Sequence, residues 1–160
     1  MGELFEVAEL VAIAVEDEKS GVAFYSVLAG RAKDPQLRQT FADLARQEKF
    51  HQKRFEEMLA ELGGCRMPEE YPGQGRAYLR ALTDDRAFPG PEAARRKAQE
   101  CPDDGAALEL ALRFERDTLL LMNEMRGLVP ERDRKTVDEL ALEEKAHVVA
   151  LTAARERLHG

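Results

Sequence analysis

Tryptophan is absent from this chain of 160 residues, and aromatic residues make up only 6% of it. β-Branched residues are also sparse, so a sheet would lack the side chains that pack best on a pleated surface. Ala, Leu, Glu, Arg and Lys dominate instead, and these residues lose least on entering a helix. The chain is expected to be all-α. It has just two cysteines, Cys65 and Cys101, too far apart for a Cys-x-x-Cys pair, which excludes a four-thiolate metal site and a disulfide scaffold. Positive charge is in deficit as well. A formal net charge of −7 argues against a nucleic-acid partner, which would require a basic surface to displace the counterions around phosphates. The runs Arg95-Arg96-Lys97 and Arg132 to Lys135 are read as solvated surface. No apolar run approaches the roughly 18 residues that cross a bilayer, and Glu3 and Glu6 stand where a signal peptide carries basic residues. No membrane association and a cytoplasmic location are expected.

This length suits one domain, 1–160, with a sizeable core. Apolar residues recur at helical spacing from Leu4 to Arg31. Asp34-Pro35 supplies a cap and first position for a second helix, with Leu37, Phe41, Leu44, Phe55, Met58 and Leu62 on its stripe up to Gly63-Gly64. From about 64 to 103 the texture changes, with five of the seven prolines. That segment reads as a crossover rather than a core helix, with short helical turns near Arg76 to Thr83 and Pro91 to Gln99. Asp103 and Asp104 offer caps for a third long helix, carrying Leu108, Leu112 and Met122 and ending near Gly127. Pro130 opens a fourth, Glu131 to Leu158, with Val137, Leu140, Leu151 and Leu158 on its stripe. Two tight turns make antiparallel pairs, and the long crossover leaves the second and third long helices parallel. This is the ferritin-like four-helix bundle with one long crossover.

Six polar residues interrupt those stripes in a two-fold pattern, Glu18 then Glu48-x-x-His51 and Glu115 then Glu144-x-x-His147, with 30 positions from Glu18 to Glu48 and 29 from Glu115 to Glu144. The first turn, centred near Lys33, lies midway between Glu18 and Glu48, and the second, near Val129, nearly midway between Glu115 and Glu144. Antiparallel pairing therefore brings the four carboxylates to one height. Residues three apart share a helix face, so each Glu-x-x-His can aim both side chains at one centre. Burying four carboxylates is costly. Two divalent ions balance them, with both histidines neutral and free to coordinate. Carboxylates with one imidazole per metal suit iron first, and manganese as the alternative. Tyr25, two turns from Glu18 on the same face, is expected to donate a hydrogen bond beside the centre or to be a redox-active phenol, or else to be a core aromatic. Phe24, Phe50 and Phe114 are expected to be core residues that keep the centre dry, and His159 to lie at the surface.

Glu18-Lys-Ser-Gly21-x-x-Phe24-Tyr25, Ala45-x-x-Glu48-x-x-His51, Phe114-Glu115-Arg-Asp117 and Glu143-Glu144-x-x-His147 together resemble the helix signatures of the rubrerythrin group within the ferritin-like superfamily. The resemblance spans all four long helices and leaves the crossover unmatched. It implies a non-haem di-iron centre held by Glu18, Glu48, His51, Glu115, Glu144 and His147, reducing hydrogen peroxide or dioxygen, in a protein that is commonly a homodimer. The C-terminal rubredoxin domain of full-length rubrerythrins has no counterpart here, so a separate rubredoxin or flavoprotein is the expected electron donor. Thr118 stands where those proteins carry an additional glutamate tied to ligand exchange, and Asn123 where a second tyrosine is expected. These departures keep two alternatives open: a ferroxidase or iron-handling protein without peroxidase turnover, and a helical interaction module whose metal is structural or absent.

Overall fold

A computed structural model describes residues 7–62 and 73–160; Leu4, Gly63, Gly64 and Cys65 lie outside the described residues. Its elements are α1 (Val7–Arg31), α2 (Pro35–Leu62), α3 (Gly73–Asp84), α4 (Pro91–Glu100), α5 (Asp104–Arg126) and α6 (Glu131–His159). The expected caps form. Asp34 Oδ1 accepts from the Leu37 amide at 2.8 Å, and Asp103 Oδ1 accepts from the Ala106 amide at 2.8 Å, each satisfying a donor that the first helical turn leaves open. Asp104 does more than begin α5. Its carboxylate accepts from the amides of Lys33 and Asp34 at 3.0–3.1 Å, tying the α1–α2 turn to the start of α5.

Four long helices bury their stripes in two separate apolar layers, and the layers reveal the topology. One holds Val7 to Val15 of α1, Phe55 to Leu62 of α2, Leu121 to Met125 of α5 and Val137 to Ala141 of α6. The other holds Phe24 to Leu28 of α1, Leu37 to Leu44 of α2, Ala107 to Phe114 of α5 and Leu151 with Ala154 of α6. Thus α1 and α6 run from the first layer to the second, while α2 and α5 run the opposite way. In the chain α3 and α4 lie between α2 and α5, and with α2 and α5 parallel the fold is the ferritin-like four-helix bundle. Among the described residues no helix is long and apolar enough to cross a membrane.

Two expectations need correction. The crossover does not merely bridge: α4 packs along α1, and Ala87, Phe88, Ala94 and Ala98 are buried in the second layer. Four apolar residues spread across a Pro-containing stretch carry too little periodicity to announce this. Leu158 leaves the stripe and is 37% exposed, in the last turn of α6, where the α1–α2 turn is met by the charged Arg157 through Asp34 rather than by an apolar side chain.

Candidate metal centre

Between the two apolar layers lies a polar one. On every long helix the break falls at the predicted positions: Glu18, Glu48, His51, Glu115 and Glu144 are fully buried, and His147 is 2% exposed. The α1–α2 turn occupies residues 32–34 and the α5–α6 turn residues 127–130, so the equal arms on either side of each turn level the carboxylates as the spacing requires.

Two overlapping sets of donor atoms form, each within 4.8 Å of one another: Glu18, Glu48, His51 and Glu144, and Glu48, Glu115, Glu144 and His147. Glu48 and Glu144 belong to both. The arrangement could hold two neighbouring ions, with Glu48 and Glu144 common to both sets, Glu18 or Glu115 in one set only, and one imidazole in each. The rings of His51 and His147 stack with centroids 5.4 Å apart and planes 13° from parallel. Nδ1 of His51 lies 2.7 Å from Glu144 and 3.7 Å from Glu18. Nδ1 of His147 lies 2.8 Å from Glu144, 3.1 Å from Glu48 and 3.5 Å from Glu115. Both rings therefore turn Nδ1 towards the carboxylates.

The donor set fits divalent ions because protein groups alone do not satisfy it. Both oxygens of Glu18, both of Glu48, one each of Glu115 and Glu144, and Nδ1 of His147 are buried with no hydrogen-bond partner among the described residues. His147 Nδ1 is close to three carboxylates, but none has hydrogen-bonding alignment. Leaving such a group unsatisfied costs roughly 1–3 kcal/mol, so the set would cancel much of a net stability of about 5–15 kcal/mol. Cations among the oxygens remove that cost.

Electrostatics report the same crowding. Burial first, then the charge of Glu144, pushes the Glu115 carboxyl up to about 8. Burial also raises Glu18 and Glu48 well above the carboxylate range, reinforced by Glu144 at Glu18 and by Glu18 at Glu48. For Glu144 burial and the Glu48 charge act upward too, but the close His147 ring and the hydrogen bond from His51 outweigh them and hold the group below its ordinary value. Burial works against protonated His51, yet Glu144, Glu48 and Glu143 carry the ring up to about 9. Protons here do part of what metal charge would do, as expected when like charges share a dry site.

Gly21 makes room for this geometry. A Cβ at that position would meet Glu48 Oε2 at 3.0 Å and its Cδ and Cγ at 3.1 Å. Gly21→Ala gains about 1 kcal/mol of helix propensity yet forces the shared carboxylate to shift, so we expect a chain at least as stable without metal whose affinity for Co²⁺ falls about 10-fold. Titration followed by visible absorption, beside thermal melts in chelator, checks this. The signal in the sequence was a lone glycine in mid-helix, one turn after Glu18.

Tyr25 is fully buried, and its hydroxyl donates to Glu115 Oε1; it is both a core aromatic and a neighbour of the centre. Burial and the Glu115 charge raise its phenol well above the ordinary value. Phe24 and Phe114 are buried as expected, each packed on Phe88 of the crossover at 4.8 and 5.1 Å between centroids. Phe50 is not. It is 48% exposed, because one residue before His51 lies about 100° round the helix. Asn123 and His159 are exposed. Thr118 is buried, and its hydroxyl has no hydrogen-bond partner among the described residues.

Sequence reasoning missed the groups that hold the outer ring nitrogens. Glu143 Oε2 lies 2.6 Å from His51 Nε2, and Gln47 Oε1 lies 2.9 Å from His147 Nε2.

The crystal structure of a Thermotoga maritima protein described as ferritin-like and diiron-carboxylate superposes with a TM-score of 0.68 over 98% of both chains at 22% identity, a likeness of fold. No curated protein matches. The family model for rubrerythrin matches residues 9–100, more than half of the chain and the stretch that carries Glu18, Glu48 and His51. The chain belongs to the rubrerythrin family.

Proposed function

We propose that this protein is a non-haem di-iron oxidoreductase that reduces hydrogen peroxide or dioxygen with electrons from a separate donor. The observation that carries the proposal is the buried layer of four carboxylates and two imidazoles, arranged as two donor sets sharing Glu48 and Glu144. Two ferrous ions held there supply Lewis acidity and two electrons, enough with two protons to convert one hydrogen peroxide into two water molecules.

The chain's own residues set the conditions. Apolar layers above and below exclude bulk water, which strengthens every electrostatic interaction between them. Glu18, Glu48, Glu115 and Glu144 balance two divalent charges. Tyr25 donates its hydroxyl proton to Glu115 Oε1. Iron is the first choice of metal and manganese the second, since oxygen donors with one imidazole per ion suit both. A rubredoxin or flavoprotein is the proposed donor, and a cytoplasmic homodimer the proposed setting.

One observation favours a second reading. Thr118, one turn after Glu115, offers a neutral hydroxyl where an additional carboxylate would permit ligand exchange. The six donors then form a simpler centre that also suits a ferroxidase or iron-handling protein. A single experiment separates the two. Protein loaded anaerobically with Fe²⁺ is expected to stop at about two ions per chain and to be oxidised by hydrogen peroxide faster than free Fe²⁺ in stopped flow. Uptake of many ions per chain would favour iron handling, and no acceleration by peroxide would sink the oxidoreductase reading.

A further inference from the structure

The two donor sets are alike in kind, each with three carboxylates and one histidine. Their surroundings are not alike. The outer nitrogen of each histidine is held across the bundle by the residue that precedes a shared glutamate on the opposite helix. Gln47, before Glu48 on α2, reaches His147 of α6, and Glu143, before Glu144 on α6, reaches His51 of α2. The two contacts exchange helices, but one partner is a neutral amide and the other a carboxylate.

That difference has a chemical consequence. With a metal on Nδ1, each ring would keep its proton on Nε2 and donate it outward. A carboxylate acceptor draws that proton strongly and makes the imidazole a better electron donor to a metal on Nδ1. An amide oxygen does so weakly. A second contact acts in the same direction. Tyr25 donates to Glu115 Oε1, withdrawing electron density from the terminal carboxylate of the His147 set. Glu18, the corresponding carboxylate of the His51 set, has no hydrogen-bond partner on either oxygen among the described residues and keeps its full donor strength.

We propose that Glu143 and Gln47 are positioning residues that make the two metal positions unequal: the position of Glu18 and His51 binds a divalent ion more tightly and fills first, and that of Glu115 and His147 fills second. This rests on the metal-centre reading above and deepens it. Both residues line one depression on the α2–α6 face together with Phe50, so substituting them leaves the apolar layers untouched.

Co²⁺ is the probe. Anaerobic titration of the full chain is expected to show two binding steps about 10-fold apart in Kd. At one equivalent, the exchangeable Nε2 proton of His51 should appear among the paramagnetically shifted proton resonances, and that of His147 only in the second step. Glu143→Gln should merge the steps by weakening the first. The double exchange Glu143→Gln with Gln47→Glu should reverse the order, so that His147 shifts first. A merely structural role would weaken both steps together and leave the order unchanged. Wild-type protein that fills both positions equally, or His147 first, overturns the proposal, as does a double variant that keeps the wild-type order. Failure of wild-type protein to bind Co²⁺ at all would instead remove the metal-centre reading on which the proposal stands.

Discussion

Stripping metal from the loaded protein with a chelator is expected to lower its thermal midpoint by on the order of 10 °C at neutral pH. An ion present at a thousand times its Kd stabilises the fold by about 4 kcal/mol, and each kcal/mol moves the midpoint of a chain this size by roughly 2–4 °C. The gap should widen with pH. In the stripped chain His51 titrates at about 9 against 6.5 when free, and Glu115 at about 8 against 4.5. Both folded values lie above the unfolded ones. Between pH 6.5 and 8 the fold therefore holds more protons than the unfolded chain, and its stability falls as pH rises through that window. Glu144 is held below 4.5, so its contribution is complete in this range and does not offset the loss. Metal replaces these protons in the loaded form and removes the dependence. Melts at pH 6.5 and 8, with and without chelator, test both parts. An unchanged midpoint at pH 8 would favour a helical interaction module over a metal protein.

The second large effect concerns the shared carboxylates. Glu48→Gln removes a donor common to both positions, so metal content measured after dialysis should fall from about two ions per chain to well below one. Glu18→Gln removes a donor of one position only and should leave about one ion bound. Stability without metal should move the other way. The Glu48 carboxyl is pushed well above its ordinary 4.5, chiefly by burial and then by Glu18 and Glu115, so the stripped fold must take up a proton there. Glutamine has the shape of the protonated form and needs none. The variant should gain stability over wild type in chelator by up to about 1.4 kcal/mol per pH unit above the free value, and lose to it once metal is added. Equal metal content in Glu18→Gln and Glu48→Gln would contradict the sharing, and a stripped variant less stable than wild type would contradict the electrostatics.

The turns, the four long helices and the level of the six donor residues follow from local rules acting on the linear chain. Asp34-Pro35 and Asp103 cap helices through hydrogen bonds made within three residues. The stripes reflect a period of 3.6 residues that each helix keeps on its own. Equal arms about Lys33 and about Val129 convert that periodicity into a common height. A Glu or His on an apolar stripe stands out because burying it without a partner is costly.

Other features depended on contacts between distant parts of the chain, and only the tertiary structure decided them. Which glutamates are shared depends on how α1 and α5 sit against α2 and α6, which no spacing along one helix specifies. The holds of Gln47 on His147 and Glu143 on His51 join residues 100 and 92 positions apart, from helix faces whose polar residues look like ordinary solvated surface. Phe50 adjoins a donor in sequence yet turns outward, while Phe88, far from any motif, closes over Phe24 and Phe114. Periodicity tells which face of a helix is buried; what that face meets is settled only when the helices pack.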